Sequence, residues 1–186
     1  MEPKRLESLP EIERALWQQL DAAMTERGHE WRTAVLATVQ GDGADARSVI
    51  LREVIAAERR LVFYTDQRAA KVGQLLAHPR ATLVVWSRAL GWQLRCRVRL
   101  SLEMTGLSVT SRWAKVRLTP AAQDYLAPTA PGTPLPASGG TPSPVSAREH
   151  FAVVSAAVDS IDWLELNRDA HRRAVFDAGG ARWVQA

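Results

Sequence analysis

The chain opens on a helical pattern and then turns to alternation. Ile12, Leu16, Leu20 and Ala23 recur at three- and four-residue spacing and Gly28 offers a stop, so a helix is predicted over residues 11 to 27. Strand signals begin at Thr33, with the partly β-branched run Ala34 to Val39. Gly41-Asp42-Gly43 reads as a turn, and Arg47 to Val54 as the returning strand of a hairpin. Leu61 to Thr65 is a short third strand. It runs into Asp66, a candidate N-cap, and a helix from about Arg68 to Ala77 with Val72, Leu75 and Leu76 on one face. Ala81 to Trp86 is a fourth strand. Gln93 to Glu103 alternates most clearly: Leu94, Cys96, Val98, Leu100 and Leu102 take one set of positions, Arg95, Arg97, Arg99 and Ser101 the other. Period two over this length means one buried and one wet face.

Past that strand, Thr110 to Leu118 reads as a short helix ended by Pro120, and residues 127 to 147, rich in Pro, Gly, Ser and Thr, as a long loop or a disordered segment. Phe151 to Val158 is another strand, which Ile161 to Leu166 extends or follows. Arg173 to Phe176 and Arg182 to Val184, split by Gly179-Gly180, suggest a final hairpin. Closely spaced antiparallel strands leave no room for a helix after each one. The expected fold is therefore mainly β, a barrel or sandwich with short helices, in one domain over residues 1 to 186.

Composition changes this picture little. The 46% hydrophobic content can build a core, and the 24% charged content suits a globular protein in water. No apolar run approaches the roughly 20 residues that span a bilayer, and residues 1 to 10 carry no apolar signal core, so no membrane partner and a cytoplasmic location are expected. The single cysteine, Cys96, excludes an internal disulfide and fits a reducing compartment. The net charge of +4 comes from arginines dispersed along the chain. That distribution argues against nucleic acid and for a small anionic ligand whose cations converge on folding.

Familiar catalytic signatures are missing. The sequence holds no GxGxxG after a strand, no phosphate-binding P-loop, no HExxH and no GxSxG elbow. His29, His78, His150 and His171 have no second ligand at metal spacing, so no metal is expected. What remains is a set of cations at strand ends and helix starts: Arg47 and Arg52 around one strand, then Tyr64-Thr65, Arg68 and Lys71 at the next turn. A hydroxyl, two cations and helix N-terminal amides can grip a phosphate. Read alone, Arg68 and Lys71 are better taken as ordinary solvated surface charges.

Taken in order, these blocks resemble the pyridoxamine 5′-phosphate oxidase family. Arg47-Ser48-Val49-Ile50-Leu51-Arg52 is similar to the R-x-V-L-L-K strand of that family. Phe63-Tyr64-Thr65-Asp66, with Arg68, Lys71, Leu75, His78-Pro79 and Ala81, is similar to its next block. Trp86 and Trp92-Gln93-Leu94-Arg95 resemble W-x-x-x-x-R-Q-V-R, and Trp163, His171 and Arg173, continued by Phe176 and Trp183, resemble its closing W and R-x-H-x-R. The resemblance implies an antiparallel Greek-key split barrel that binds FMN at the interface of a homodimer. It also implies that Arg47 and Lys71 hold the FMN phosphate with Thr65 and Arg68 beside Tyr64, that Ile50 and Leu51 meet the flavin, and that Gln93, Trp163 and Arg173 approach it from the partner side. The implied activity is an FMN-dependent oxidoreductase acting on a small molecule, with His171 as a proton-transfer residue.

The substrate-phosphate residues depart from the family pattern. Arg52 stands for a lysine, Trp113 for a tyrosine and Ala121 for a serine, while Arg117 keeps its type; Asp169 reverses the charge of an arginine. Arg52, Trp113, Arg117 and His171 are the corresponding substrate-binding candidates. Loss of two hydroxyls costs about 1.5 to 3 kcal/mol for each bond to a charged group, so pyridoxamine phosphate oxidation is expected to be weak or absent. A flavin- or pyridoxal-phosphate-binding module without turnover, and a haem-binding split barrel, are the alternatives.

Overall fold

Ser8 starts the first helix. Its hydroxyl accepts the Glu11 N–H while Glu11 reaches back to Ser8, a capping box with Pro10 in the first turn. The computed structural model describes residues 5–134 and 150–186. Helix α1 (Leu9–Thr25) buries Ile12, Leu16, Leu20 and Ala23, the face its spacing predicts.

A tight 3₁₀ turn at Glu30–Arg32 drops Trp31 into the core and leads into β1 (Thr33–Gln40). Strands β2 (Gly43–Ile55), β3 (Arg60–Asp66), β4 (Arg80–Ser87), β5 (Trp92–Glu103), β6 (Phe151–Glu165), β7 (Arg172–Asp177) and β8 (Gly180–Val184) follow. They hydrogen-bond in the order β3-β2-β1-β4-β5-β6-β7-β8, and β3 also pairs with β6. That last pairing closes β1 to β6 into an antiparallel barrel, and β7–β8 extends as a hairpin from its side. The alternation in β5 is realised: Leu94, Cys96, Val98 and Leu100 are buried and Arg95, Arg97 and Arg99 exposed.

The two apolar stretches that bracket Asp159 form one strand. Phe151 to Ala157 of β6 face β3, Ser160 to Glu165 face β7, and β5 pairs with both parts. The register shifts where Arg97 pairs with Ser160 and Val98 with Val158, so Asp159 bulges out where β6 changes neighbours. The run Phe151 to Val154 is buried on both faces because one looks into the barrel and the other meets α3 (Leu107–Val116) and α4 (Gln123–Leu126). Val62, Val109, Trp113, Tyr125, Phe151 and Val153 make this second, smaller core. Tyr64, Trp113 and Tyr125 each bring a ring to Phe151, with centroids 4.9, 5.3 and 5.1 Å away.

Several local expectations are corrected. Asp66 belongs to β3 and is not a helix cap; α2 (Ala70–Ala77) is preceded by Ala69 at its N-cap, with no side-chain cap. Leu76 is exposed, while Val72 and Leu75 are buried. Helix α3 begins three residues before Thr110, and a 3₁₀ turn at Pro120–Ala122 continues into α4. Of the long loop expected over 127 to 147, residues 135 to 147 lie outside the described residues.

Gly91, in the β4–β5 turn, is held at φ +65°, and its carbonyl accepts the Leu166 N–H at 2.8 Å. A Cβ there would stand 2.7 Å from the Leu166 carbonyl oxygen, backbone that cannot swing away. Gly91→Ala is expected to cost about 2 kcal/mol or more, through left-handed strain and this clash. Urea unfolding of the two proteins measures it.

Candidate functional site

Strands β2 and β3 lie side by side, with a bulge between Leu51 and Glu53. Together with the start of α2 and the α4 stretch they frame a cleft of about 250 Å3. Ser48, Ile50 and Arg52 reach it from alternate positions of β2, Tyr64 and Thr65 from β3, Lys71 from the first turn of α2, and Asp124, Tyr125 and Pro131 from the far wall. Five of the residues singled out in the sequence, Ile50, Arg52, Tyr64, Thr65 and Lys71, are thus brought together.

Lys71 and Thr65 are the polar centre of this cleft. The Lys71 ammonium donates to Thr65 Oγ1 at 3.0 Å. Burial, and then the nearby Arg47 guanidinium, lower the Lys71 pKa below that of an ordinary lysine. Arg47 already has a carboxylate partner in Asp45, so at this end of the cleft the cation left to meet an anion is Lys71. Arg47 itself lies outside the cleft lining and points to the barrel end. There it donates to Gln74 Oε1 at 2.6 Å and to the Leu36 carbonyl at 3.3 Å, and pairs with Asp45 and Thr38.

At the other end, Arg52 stands over the Tyr64 ring at 5.9 Å. The Tyr64 hydroxyl donates to Glu53 at 2.8 Å, and burial together with Glu53 keeps that phenol protonated. Glu53 is held in turn by a forked pair from Arg112, at 2.7 Å to each oxygen.

The remaining candidates are placed elsewhere. Leu51 is fully buried in the barrel core and does not line the cleft. Arg68 is bound to Asp66 and to carbonyls after α4. Trp113 is buried in the aromatic cluster, Arg117 is exposed at the end of α3, and His171 is exposed with Nδ1 accepting the Asn167 N–H. Gln93 and Arg173 share one outward cross-strand row, Trp86–Gln93–Leu164–Arg173. Arg173 makes two bonds to Asp162, at 2.7 and 2.9 Å. Trp163 faces the opposite way and is fully buried.

Sequence reasoning missed Ser48, Asp124 and Tyr125. One signal existed for the last: the chain has two tyrosines, and both line the cleft. Among the described residues no cluster of His, Cys, Asp or Glu could hold a metal ion, and no helix is long and apolar enough to cross a membrane. Burial pushes the Cys96 thiol up to about 12, which suits packing and not nucleophilic chemistry.

A family model for pyridoxamine 5′-phosphate oxidase matches residues 20–132, more than half of the chain. The chain belongs to the pyridoxamine 5′-phosphate oxidase family. Within that family, 81 residues are 42% identical to the pyridoxine/pyridoxamine 5′-phosphate oxidase of Thermosynechococcus vestitus, covering 43% of this chain and 36% of that protein. The enzyme of the same description from Azorhizobium caulinodans is 46% identical over 63 residues, covering 33% and 29%. The matched region thus spans about a third of the length of these curated relatives. A pyridoxamine 5′-phosphate oxidase-related, FMN binding protein from Nostoc punctiforme superimposes with a TM-score of 0.71 at 22% identity, covering 93% of this chain and 96% of its own. PhzG from Burkholderia lata, in complex with tetrahydrophenazine-1-carboxylic acid, gives 0.68 at 16% identity, covering 96% and 91%. At these identities the likeness establishes the split-barrel fold of the family.

Carboxylates around the barrel tie this family member's stability to pH. Arg112 holds the Glu53 carboxyl below its ordinary 4.5. Burial opposes ionisation of Asp162 and of Glu165, but Arg173 and Arg95 outweigh it for the first, and Arg172, Arg5 and Trp92 for the second, so both are also lowered. An acid depressed in the folded state takes up its proton more readily when unfolded. Its contribution is complete above the unfolded pKa, about 4 to 4.5, and is lost as pH falls through the depressed value. The urea midpoint is expected to drop between about pH 5 and pH 3, and Glu165→Gln to flatten that fall.

Proposed function

We propose that this chain is an FMN-dependent oxidoreductase that acts as a cytoplasmic homodimer. The observation that carries the reading is Lys71 bonded to Thr65 beside Arg47, a cationic centre at the start of α2 in a cleft flanked by Ile50 and Tyr64. Those groups fit a phosphate. The ammonium and hydroxyl supply a charge and a donor, Arg47 adds field, and the first-turn amides of α2 lie at the same place. Lys71 and Thr65 would hold the phosphate of FMN, with the Arg47 charge behind them, and Ile50 would meet its ring. When bound, the flavin supplies hydride or electron transfer; the protein binds, orients and excludes water. Arg52, Tyr64 and Tyr125 line the part of the cleft left for a small substrate.

The dimer is supported by an apolar outer face. Val35, Ile50 and Trp86 are 43%, 39% and 42% exposed, and Val84 pairs with Val35 between them. Such a patch suits a self-complementary contact. A dimer formed there would bring the outward Gln93 and Arg173 to a partner. Pyridoxamine phosphate turnover is expected to be slow, because Trp113 is committed to the aromatic cluster and Ala121 offers no hydroxyl.

The purified protein is expected to be yellow, with bands near about 370 and 450 nm, and to run at twice the mass of its chain. A colourless monomer that does not take up added FMN would refute the reading.

A further inference from the structure

We propose that Arg68 is a positioning residue, which latches the α4 segment over the cleft so that Tyr125 faces Arg52 there. Its guanidinium is shared between two anchors. Toward β3, Nε and Nη2 donate to the two oxygens of Asp66 at 3.0 and 2.6 Å, and Asp66 Oδ1 also accepts the Arg68 backbone N–H at 2.7 Å. Toward α4, Nη2 donates to the Ala127 carbonyl at 2.8 Å and Nη1 to the Pro128 carbonyl at 3.1 Å. The Asp66 side chain is only 4% exposed, so the latch is fixed on a buried carboxylate at the end of a barrel strand.

The segment needs such a tie. Helix α4 has four residues, too few to hold its own shape in water. Backbone bonds add a second connection: the Gln67 N–H donates to the His150 carbonyl at 2.8 Å, and the His150 N–H to the Tyr125 carbonyl at 2.9 Å. The Asp66-Gln67-Arg68 turn therefore holds the wall on both sides. That wall carries Asp124, Tyr125 and Pro131, three residues lining the cleft opposite Arg52 and Tyr64. Tyr125 and Arg52 line the same cleft. A planar fork with five donors can serve a carboxylate and two carbonyls at once; a lysine ammonium cannot take that geometry.

The proposal rests on the FMN reading only for one arm of its test. Arg68→Ala and Arg68→Lys are compared with the parent protein by hydrogen exchange and by FMN titration. In both variants, exchange across residues 123–134 is expected to rise at least about tenfold. Peptides of β3 and α2 should keep their rates, and the FMN dissociation constant should stay within about threefold. An FMN dissociation constant raised by about thirtyfold, with exchange at 123–134 unchanged, would assign Arg68 to the phosphate and overturn the latch. Unchanged exchange with unchanged FMN binding overturns it as well, as does a rise spread evenly through β3 and α2. If Arg68→Ala does not fold, Arg68→Lys decides by the same readings. If the parent itself takes up no FMN, the flavin reading falls while the exchange comparison still judges the latch.

Discussion

Replacing Lys71 with methionine is expected to weaken FMN binding by about a hundredfold. The ammonium is half-buried, so solvent screens it less than a surface lysine, and it already holds the Thr65 hydroxyl in place. Methionine keeps much of the apolar stem and removes only the charge and its donors. A lost hydrogen bond to a dianionic phosphate costs about 1.5 to 3 kcal/mol, and the lost charge adds to it. The pH dependence gives an independent sign. Because burial and Arg47 depress this ammonium, it loses its proton below the 10.5 of an ordinary lysine, and FMN affinity should decline on the alkaline side before that value. Flavin fluorescence quenching measures both effects. An affinity within about threefold of the parent would place the phosphate elsewhere.

Trp163→Ala is expected to remove about 4 kcal/mol of stability. The ring is fully buried, meets Trp92 edge to face with centroids 5.4 Å apart, and carries the Arg172 guanidinium over it at 5.6 Å. Its deletion leaves a cavity that stiff neighbouring strands cannot close. The indole N–H has no acceptor among the described residues, so Trp163→Phe gives up packing without breaking a hydrogen bond and should cost about half as much. Urea unfolding separates the three proteins. A stability change under about 1 kcal/mol, joined to a large loss of FMN affinity, would move this ring from the core to the cofactor.

What the sequence revealed depended on how local the determining physics is. The β5 alternation and the α1 spacing were readable because each is one element exposing one face to one core. The unity of β6 was hidden, since the Asp159 bulge interrupts the alternation and only the neighbours on either side make the two parts one strand. At the site, Lys71 and Thr65 were found because a turn of few residues joins them. Tyr125 was missed because nothing near it in sequence says that β3 lies beneath it. Arg68 shows the opposite error: its partner Asp66 is two residues away, yet both looked like parts of a helix start, and the bonds to residues 127 and 128 come from tertiary structure.

Strand β6 is hydrogen-bonded to β3, β5 and β7, and it comes after most of the chain has been made. During synthesis, β3 and β5 must therefore wait with bare amide and carbonyl rows until residues 151–165 leave the ribosome. Such rows recruit other strands when left open. A nascent or prematurely terminated product ending before Phe151 would then be a client for chaperones and prone to aggregate, even though it contains every residue of the cationic centre.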